Sequence, residues 1–308
     1  MADSVIGVEH VYKSYGTFRA VSDLTFEVKR GEIFAMLGPN GAGKSTTMRM
    51  ILDIIKPDSG SITVFGQPLT DKAKDRIGYL PEDRGLYRNV RVLEMMTYLG
   101  RLKGMSTQDA KARALELLNH LEMPEVAKKK VSELSKGMHQ KIQFAVTVIH
   151  RPELIIVDEP FSGLDPLNTR VLMDLVRDLR NQGTTVVMST HQMAQVEELC
   201  ERLLMINKGE LALYGEVEEI RRRYADNAIE IVGSGDWASV PGVSSVDHNG
   251  NGRGATLHLK PNVTPNDMMG ALAAAPGVSV EKFALAVPQL NDIFIQVVEE
   301  MGASREHQ

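Results

Sequence analysis

The sequence predicts an α/β fold, with a largely parallel sheet, a mainly helical insert and a small C-terminal α+β domain. Three observations predict it. Short apolar runs such as Leu154-Ile155-Ile156-Val157 are typical of parallel strands that are buried on both faces. Between residues 86 and 150, apolar residues recur at helical spacing instead. Beyond residue 222 a new set of short strands and helices begins, in a chain long enough for two domains.

The composition narrows the class of protein. The chain has 308 residues, 43% hydrophobic and 24% charged, an ordinary balance for a globular protein. Its net charge of −5 does not indicate a nucleic-acid surface, so we expect no nucleic acid partner. The single cysteine, Cys200, excludes an internal disulfide and a cysteine-cluster metal site, and suits a reducing cytosol. No signal peptide and no uncharged apolar run of about 18 residues is evident, so we expect no transmembrane segment.

Two strands are predicted near the N-terminus, at residues 5–13 and 18–28, with a turn at Tyr15-Gly16-Thr17 between them. Tyr15 is therefore an aromatic residue at a strand end, shortly before the next motif. A half-buried tyrosine of the strand explains it as well as a ligand contact does. Both interpretations stay open at this point.

The clearest chemistry lies in a glycine-rich loop between the apolar run Ile33–Leu37 and a helix at residues 47–52. The spacing G-x-x-x-x-G-K-S is that of the phosphate-binding P-loop. A glycine-rich turn that merely precedes a helix is the other interpretation. The residues predicted to bind the nucleotide are Gly38, Pro39, Asn40, Gly41, Ala42, Gly43, Lys44, Ser45 and Thr46.

The physics of phosphate binding calls for these residue types. Glycines let the backbone curl until its N–H groups point at phosphates, and the helix start adds about half a positive charge. Lys44 would reach the β- and γ-phosphates, and the Ser45 hydroxyl would take one Mg²⁺ position. The loop therefore predicts a chain that binds a nucleoside triphosphate with Mg²⁺.

A mainly helical insert is predicted at residues 86–150. The basic run Lys128-Lys129-Lys130 is expected to be a solvated helix end or loop. Near the end of the insert, Leu134-Ser135-Lys136-Gly137-Met138 precedes a further helix at residues 142–150. Taken alone, Ser135 is adequately explained as a helix N-cap with Gly137 just inside the helix.

Two adjacent carboxylates follow the buried strand that ends at Val157. Asp158 and Glu159 would be costly to desolvate there without a cation. In a P-loop protein, Asp158 is the natural Mg²⁺ partner, through water, and Glu159 can orient and deprotonate an attacking water. A pair of acids that caps the next helix is the other interpretation.

A second buried strand, at residues 185–190, leads to His191. A histidine there is often no more than the first residue of a helix. Because ligands gather outside the carboxyl ends of parallel strands, we expect His191 on the same sheet edge as the P-loop and the two carboxylates.

Taken together, five motifs resemble those of the ATP-binding subunit of an ABC transporter over residues 1 to about 222. They are the P-loop, Leu134-Ser135-Lys136-Gly137, the run from Leu154 to Glu159, Ser162-Gly163-Leu164-Asp165, and His191. The resemblance implies bound ATP and Mg²⁺, and it makes residues 38–46 the Walker A loop and Leu154–Asp158 the Walker B strand.

The resemblance also implies roles for single residues. Tyr15 would stack on adenine, Glu159 would be the general base and His191 the switch histidine. Ser135 and Gly137 belong to the signature motif, which in this family binds the γ-phosphate of the ATP held by the other subunit. Asp165 belongs to the D-loop, which we also expect to contact the nucleotide.

Two departures from the family pattern are evident. Lys136 and Met138 stand where the signature motif usually has a second glycine and a glutamine; the lysine would lie near the γ-phosphate or point to solvent, and both options stay open. Glu82 occupies the place of the usual Q-loop glutamine. A carboxylate can ligate Mg²⁺ or its water, but it adds negative charge beside phosphate. These variants resemble the exporter branch associated with sodium extrusion and drug or antibiotic resistance.

The last part of the chain, residues 223–308, is predicted to be a small α+β domain that follows Arg221-Arg222-Arg223. Strands are expected around Asn249-Gly250-Asn251-Gly252, a hairpin-turn signal, with helices at 265–274 and 289–301 and a strand near 278–287. No phosphate, metal or catalytic spacing occurs in it. It resembles the accessory domain of this exporter branch. Dimer contact, regulation and an inert stabilising role stay open.

The leading hypothesis for function is an ATPase subunit of which two copies, identical or paralogous, sandwich two ATP molecules. Closing and reopening would drive a polytopic membrane permease from the cytoplasmic face of the membrane. Two alternatives are kept: an ABC-type ATPase that acts on ribosomes or DNA, and a regulatory nucleotide-binding module that hardly hydrolyses ATP. The sequence does not indicate the transported substrate.

Overall fold

The computed structural model describes residues 4–82, 85–248 and 254–306. The chain divides into two compact units: the first comprises the chain up to Val217 and again from Met301, and the second spans Glu218–Glu300. This division falls within a helix, Val217–Arg223, whose other end lies beside the boundary expected between residues 222 and 223. Each unit encloses a hydrophobic core of its own.

The first unit contains strands, helices and two 3₁₀ turns. In chain order these are β1 (Ser4–Tyr15), β2 (Phe18–Lys29), β3 (Ile33–Leu37), α1 (Lys44–Ile51), β4 (Ser59–Val64), α2 (Asp71–Lys74), β5 (Ile77–Leu80), α3 (Val92–Leu102), α4 (Thr107–His120), the 3₁₀ turns Pro124–Lys128 and Val131–Glu133, α5 (Lys136–Val148), β6 (Leu154–Asp158), α6 (Pro166–Asn181), β7 (Thr185–Thr190), α7 (Met193–Leu199), β8 (Arg202–Asn207) and β9 (Glu210–Glu216). The next helix, α8 (Val217–Arg223), starts at the last residue before the boundary and continues into the second unit.

The central sheet has the strand order β5-β6-β7-β3-β8-β9. Its first five strands are parallel, and β9 returns antiparallel to β8. Strands β3, β6 and β7 are buried along their whole length, which explains why they are so rich in apolar residues. Their carboxyl ends meet at one edge of the sheet, where β3 leads into the glycine-rich loop, β6 ends at Asp158 and β7 leads to His191.

A three-stranded antiparallel sheet, with the order β2-β1-β4, shares its core with the central sheet. Val8 and Phe26 from this sheet, Met48 from α1, and Phe34 and Ile156 from the central sheet belong to one cluster of buried side chains. Burying each such side chain stabilises the fold by about 1.5–3 kcal/mol. The core therefore fixes α1, the helix that begins at the glycine-rich loop.

The region from α3 to α5 corresponds to the insert expected at residues 86–150. Helices α3 and α4 pack on each other, and both contact α5. Two serines cap these helices. Ser106 accepts a hydrogen bond from the backbone N–H of Asp109 at the start of α4, and Ser135 accepts one from Met138 at the start of α5. Such caps satisfy N–H groups that have no partner inside the helix.

The second unit is an antiparallel sheet with a helix packed on it. Its elements are β10 (Ala228–Ser234), a 3₁₀ turn at Trp237–Ser239, β11 (Val243–His248), β12 (Gly254–Leu259), α9 (Pro265–Ala274), β13 (Ser279–Leu285) and α10 (Leu290–Glu306), which begins in this unit. The strand order is β11-β12-β10-β13. Trp237 and Met268 belong to its buried core. The hairpin turn predicted at Asn249-Gly250-Asn251-Gly252 lies outside the described residues.

Candidate nucleotide-binding site

One cleft of the first unit brings together most of the residues predicted from the sequence. It has a volume of about 320 Å³ and lies at the carboxyl edge of the central sheet. The tip of the β1–β2 hairpin, with Tyr15 and Phe18, and residues 40–46 of the glycine-rich loop form two of its walls. Ala20, Glu82, Asp158 and Glu159 complete the lining.

Two glycines of the loop occupy places that no larger residue could take. Gly38 has a φ of +148°, and a Cβ there would lie 2.2 Å from the carbonyl oxygen of Ile206. Gly43 has a φ of +111°, and its Cβ would lie 2.5 Å from the carbonyl oxygen of Ala20. Since Gly43 is the N-cap of α1, the helix begins without a capping side chain. Its first N–H groups, which lack partners within the helix, therefore suit an anion.

Lys44 is the first residue of α1 and is 6% exposed. Its Nζ donates hydrogen bonds to the carbonyl oxygens of Gly38, at 2.6 Å, and Pro39, at 3.1 Å. Burial lowers the pKa of Lys44, and the carboxylates of the cleft, Glu159 foremost, oppose that shift. The ammonium is thus held inside the loop among negative charges.

Asp158 is held from two sides. The Ser45 hydroxyl donates a hydrogen bond to its Oδ2 at 2.9 Å, and the Ser189 hydroxyl donates one to its Oδ1. Ser189 lies opposite Asp158 in the pairing of β6 with β7. The Ser45 hydroxyl and the Asp158 carboxylate therefore present oxygen atoms side by side, the ligand type that Mg²⁺ prefers.

These oxygens fit a magnesium ion that shares its coordination with phosphate and water. Among the residues that the structure describes, no group of three or more histidine, cysteine, aspartate or glutamate side chains is placed to hold a metal. Mg²⁺ commonly binds through one or two protein ligands, several waters and the phosphates of a nucleotide. The chemistry of the donor set at Ser45 and Asp158 is of that kind.

Glu159 follows β6 with a φ of +49°, in the left-handed region. Its backbone N–H donates to the carbonyl oxygen and the hydroxyl of Ser189, both at 3.2 Å. Its Oε1 lies 2.8 Å from Nδ1 of His191. The Glu159 side chain is 10% exposed and that of His191 is 54% exposed. A largely desolvated carboxylate is thus oriented by an imidazole that solvent reaches.

Two aromatic side chains stand at the tip of the β1–β2 hairpin. Tyr15 and Phe18 pair across the hairpin and are 49% and 60% exposed. Nζ of Lys13 lies 5.8 Å from the centre of the Tyr15 ring and 2.7 Å from Oδ1 of Asp58. That hydrogen bond lowers the pKa of the Asp58 carboxyl. The cleft therefore carries two exposed aromatic rings, one of them braced by an ion pair, on which a flat base can stack.

Six predicted residues are not in the lining of this cleft. The carbonyl oxygens of Gly38 and Pro39 accept hydrogen bonds from Lys44, and His191 contacts Glu159. The other three are Ser135, Gly137 and Asp165. We call them the signature face. Ser135 is the exposed N-cap of α5, and Asp165 is the exposed N-cap of α6, where hydrogen bonds from Asn168 lower its pKa. The two helix starts are adjacent, since a Cβ on Gly137 would lie 3.5 Å from the Asn168 side chain.

Lys136 extends from the signature motif to the loop before α6. A Cβ on Gly163, whose φ is +76°, would lie 2.9 Å from Nζ and 3.0 Å from Cε of Lys136. The end of the lysine side chain thus lies against a glycine that leaves room for it. The sequence left open whether Lys136 lies near the γ-phosphate or points to solvent, and neither option included this contact with Gly163.

The sequence did not reveal the roles of Phe18, which lines the cleft, and Ser189, which contacts Asp158. In the sequence, Phe18 has the pattern of an ordinary strand residue. An aromatic residue opposite Tyr15 at a hairpin tip could nevertheless have indicated a second ring for stacking. Ser189 lies within a buried strand, and its contact with Asp158 depends on the register of β6 and β7, which no local pattern reveals.

Comparison with known proteins places the chain in a family. The sequence model described as "ABC transporter" matches residues 21–162. A relative from Bacillus subtilis, the uncharacterized ABC transporter ATP-binding protein YhaQ, is 38% identical over 96% of this chain and 98% of its own length. The chain belongs to the family of ABC transporter ATP-binding proteins.

A second relative and a solved structure support the same family for this ABC protein. The Nod factor export ATP-binding protein I of Burkholderia orbicola is 32% identical over 96% of this chain and 98% of that protein. A solved structure of the ATP-binding subunit of an ABC transporter matches with a TM-score of 0.66 and 30% identity, over 72% of this chain and 93% of the other. The predicted P-loop α/β fold and family are therefore confirmed.

The C-terminal part of the ABC protein matches a second sequence model. Residues 215–298 correspond to the "ATP-binding protein DrrA1-3-like, C-terminal domain". The resemblance of the tail to an accessory domain of such proteins is thereby confirmed. Across the described ranges of the ABC protein, no helix has the length and apolar character needed to cross a bilayer.

Proposed function

We propose that this chain is the ATP-hydrolysing subunit of a membrane exporter and that two copies close around two ATP molecules. The observation that carries the proposal is the arrangement at the carboxyl edge of the central sheet. There the P-loop lysine, the Ser45–Asp158 pair and Glu159 line one cleft, and His191 contacts Glu159 from outside the lining. Membership of the ABC transporter family supports ATP as the nucleotide.

Binding of the nucleotide is assigned to the loop and the hairpin. The N–H groups of the loop and the Lys44 ammonium would contact the phosphates. Tyr15 and Phe18 would stack on the base from the hairpin tip. Mg²⁺, held by Ser45 and Asp158, would supply charge neutralisation of the β- and γ-phosphates when bound. Glu82 lines the same cleft, where its carboxylate would face a water of that ion.

Hydrolysis is assigned to Glu159. Its carboxylate would orient the attacking water and accept its proton at one of the Oε atoms. His191, bound to Oε1 at 2.8 Å, would keep the carboxylate aimed at the water. Such positioning accounts for most of phosphoryl-transfer catalysis, because there is little covalent chemistry for the protein to perform.

The signature face supports the proposal of two copies. Ser135, Gly137 and Asp165 lie outside the cleft lining, yet Ser135 and Gly137 stand at the start of α5, where N–H groups suit a phosphate. In the proposed dimer, this face of one copy covers the γ-phosphate of the ATP bound by the other. The two copies would be identical chains or two paralogues.

A groove beside α3 is proposed to receive the permease. It has a volume of about 450 Å³, and its lining includes Ile54, Leu99 and Leu102. Ile54 is 56% and Leu102 63% exposed. Exposed apolar side chains that cluster at a groove indicate an interaction surface. A short cytoplasmic helix of a polytopic membrane protein would cover them, and the export named for the relative Nod factor protein supports export as the direction.

The proposal is tested by co-purification of the tagged full chain from native membranes in mild detergent. We expect one polytopic membrane protein in near-equal amount. Leu102→Glu should remove it without changing ATP hydrolysis by the purified chain. Leu115→Glu, at an exposed leucine of α4 outside the groove, is the matched control and should retain it. Recovery of ribosomes, of DNA or of no partner would contradict the transporter role.

A further inference from the structure

One face of α5 lies along the loop that follows Glu159. Lys136 and Gln140 are four residues apart and so lie one turn apart on the same side of the helix. Both contact this loop, Lys136 at Gly163 and Gln140 at Pro160. The helix that begins with the signature motif is therefore joined at two points to the segment that carries Glu159.

The contact made by Gln140 is buried. The side chain is 8% exposed, and its Nε2–H donates a hydrogen bond to the carbonyl oxygen of Pro160 at 2.7 Å. Pro160 is the residue directly after Glu159. Without the glutamine donor, this carbonyl oxygen would lose a partner inside the protein, which is the more damaging way to break a hydrogen bond.

The backbone of Glu159 needs such support because its conformation is unfavourable. A φ of +49° is rare for a residue with a side chain, and the following proline further restricts Glu159 toward extended conformations. Surrounding contacts must hold it in place. Its N–H is held by Ser189, and its carbonyl oxygen accepts a hydrogen bond from the N–H of Ser162 at 3.2 Å. Gln140 holds the next peptide from the side of α5.

We propose that Gln140 is a positioning residue for Glu159: by its hydrogen bond to the Pro160 carbonyl it holds the Pro160–Phe161 peptide, and with it the turn that aims the Glu159 carboxylate at the attacking water. This inference rests on the proposed role of Glu159 in hydrolysis. It also links the two functional surfaces, because the helix that holds Glu159 in one site is the helix whose N-cap, Ser135, would contact the ATP of the other. A shift of α5 on closure of the dimer would reach the base through Gln140.

The first test replaces Gln140 with methionine, which has a similar length but no donor. We expect kcat for ATP hydrolysis to fall about tenfold, while KM and the affinity for ATP change by less than about twofold. The matched control is Gln143→Met. Gln143 is also buried on α5, 7% exposed, but makes no side-chain hydrogen bond to any residue that the structure describes. It should hydrolyse ATP at the wild-type rate.

A second variant, Gln140→Glu, uses pH to restore the donor. A protonated carboxyl group can donate to the Pro160 carbonyl oxygen, whereas a carboxylate cannot and would repel it. The ratio of the kcat of this variant to that of the wild type should therefore rise as the pH is lowered. The same ratio for Gln140→Met should stay flat. A residue that merely filled space in the core would not produce this difference.

Three outcomes would overturn the inference: wild-type kcat in Gln140→Met, a loss of ATP affinity in step with kcat, or a flat pH ratio for Gln140→Glu. Failure of the proposed function is distinguishable from these, because it would show as an unchanged rate in Glu159→Gln, whatever Gln140 does.

Discussion

The nucleotide cleft and the signature face differ in how their functional side chains are held. In the cleft, Lys44, Asp158 and Glu159 are largely buried and contact other residues of the cleft or the strands behind it. On the signature face, Ser135 and Asp165 are exposed, and each caps the start of its own helix. The cleft is assembled from residues distant in the chain, whereas the signature face consists of two local caps.

The difference indicates which functional surface one chain can form by itself and which one needs a second molecule. The cleft already orients an ammonium, a hydroxyl–carboxylate pair and a base toward one volume, as a site for ATP requires. The signature face is ordered but shows its polar groups to solvent, as expected of a surface whose ligand arrives on another molecule. We therefore expect substitutions in the cleft to affect one chain, and those on the signature face to affect the dimer.

The largest effect is expected from Glu159→Gln, which would remove the carboxylate that accepts the proton of the attacking water but leave the shape of the cleft unchanged. ATP binding should persist, and steady-state phosphate release should fall about a thousandfold, corresponding to about 4 kcal/mol of transition-state stabilisation. Glu125→Gln, at an exposed glutamate of a 3₁₀ turn, is the control and should keep the wild-type rate. If Glu159→Gln retained most of the turnover, the assignment of Glu159 as the general base would be contradicted.

A smaller effect is expected from substitutions of the two aromatic residues, which would separate the part of the cleft that binds the nucleobase from the part that binds the phosphates. Tyr15→Ala and Phe18→Ala should each weaken ATP binding, by about 1–3 kcal/mol for Tyr15 and about 1 kcal/mol for the more exposed Phe18. The affinity for inorganic triphosphate, which has no base, should not change. Calorimetry with both ligands checks this. Equal losses for ATP and triphosphate would show that the aromatic residues support the loop instead.

The smallest effect concerns the far end of α5, where His150 lies. Its Nε2–H donates to the carbonyl oxygen of Ile77 at 3.2 Å, and burial lowers the pKa of His150 to about 4. The unfolded chain binds a proton near pH 6.5, so the free energy of unfolding should fall as the pH drops from about 6.5 toward 4. With allowance for partial exposure, His150 should account for about 1 kcal/mol of this loss at pH 5.

His150→Gln, which keeps a donor but does not titrate, tests this. Denaturant unfolding at pH 7.5 and pH 5 should show a smaller loss in the variant than in the wild type. His248→Gln, at an exposed histidine at the end of β11, should leave the wild-type difference unchanged. An equal loss in His150→Gln and the wild type would contradict the buried, neutral histidine.

Much of the cleft could be predicted from the sequence because its chemistry is carried by contiguous motifs. The G-x-x-x-x-G-K-S spacing of the loop between β3 and α1 predicts phosphate binding by itself. Asp158 and Glu159 are easily recognised as two acidic residues that directly follow an apolar strand. The strands that bring these motifs together were predictable from the same apolar runs. The roles of single residues remain predictions that the experiments above address.

The contacts that support these motifs could not be predicted in the same way. Ser189 contacts Asp158 through strand register, and Gln140 reaches Pro160 through the packing of α5 on the loop. Neither relation leaves a local pattern. Phe18 illustrates another limit, since a strand pattern favours burial for an aromatic residue that in fact is 60% exposed at the cleft.

The most direct test of the account is the ATP-dependent mass of Glu159→Gln in solution. Sedimentation of this full-length variant with Mg²⁺ and ATP should show a dimer with two bound ATP molecules. The same variant carrying Ser135→Arg should bind ATP with unchanged affinity and remain a monomer, since the cleft is complete in one chain and the signature face is blocked. A monomer of Glu159→Gln at saturating ATP, or a dimer of the double variant, would contradict the account.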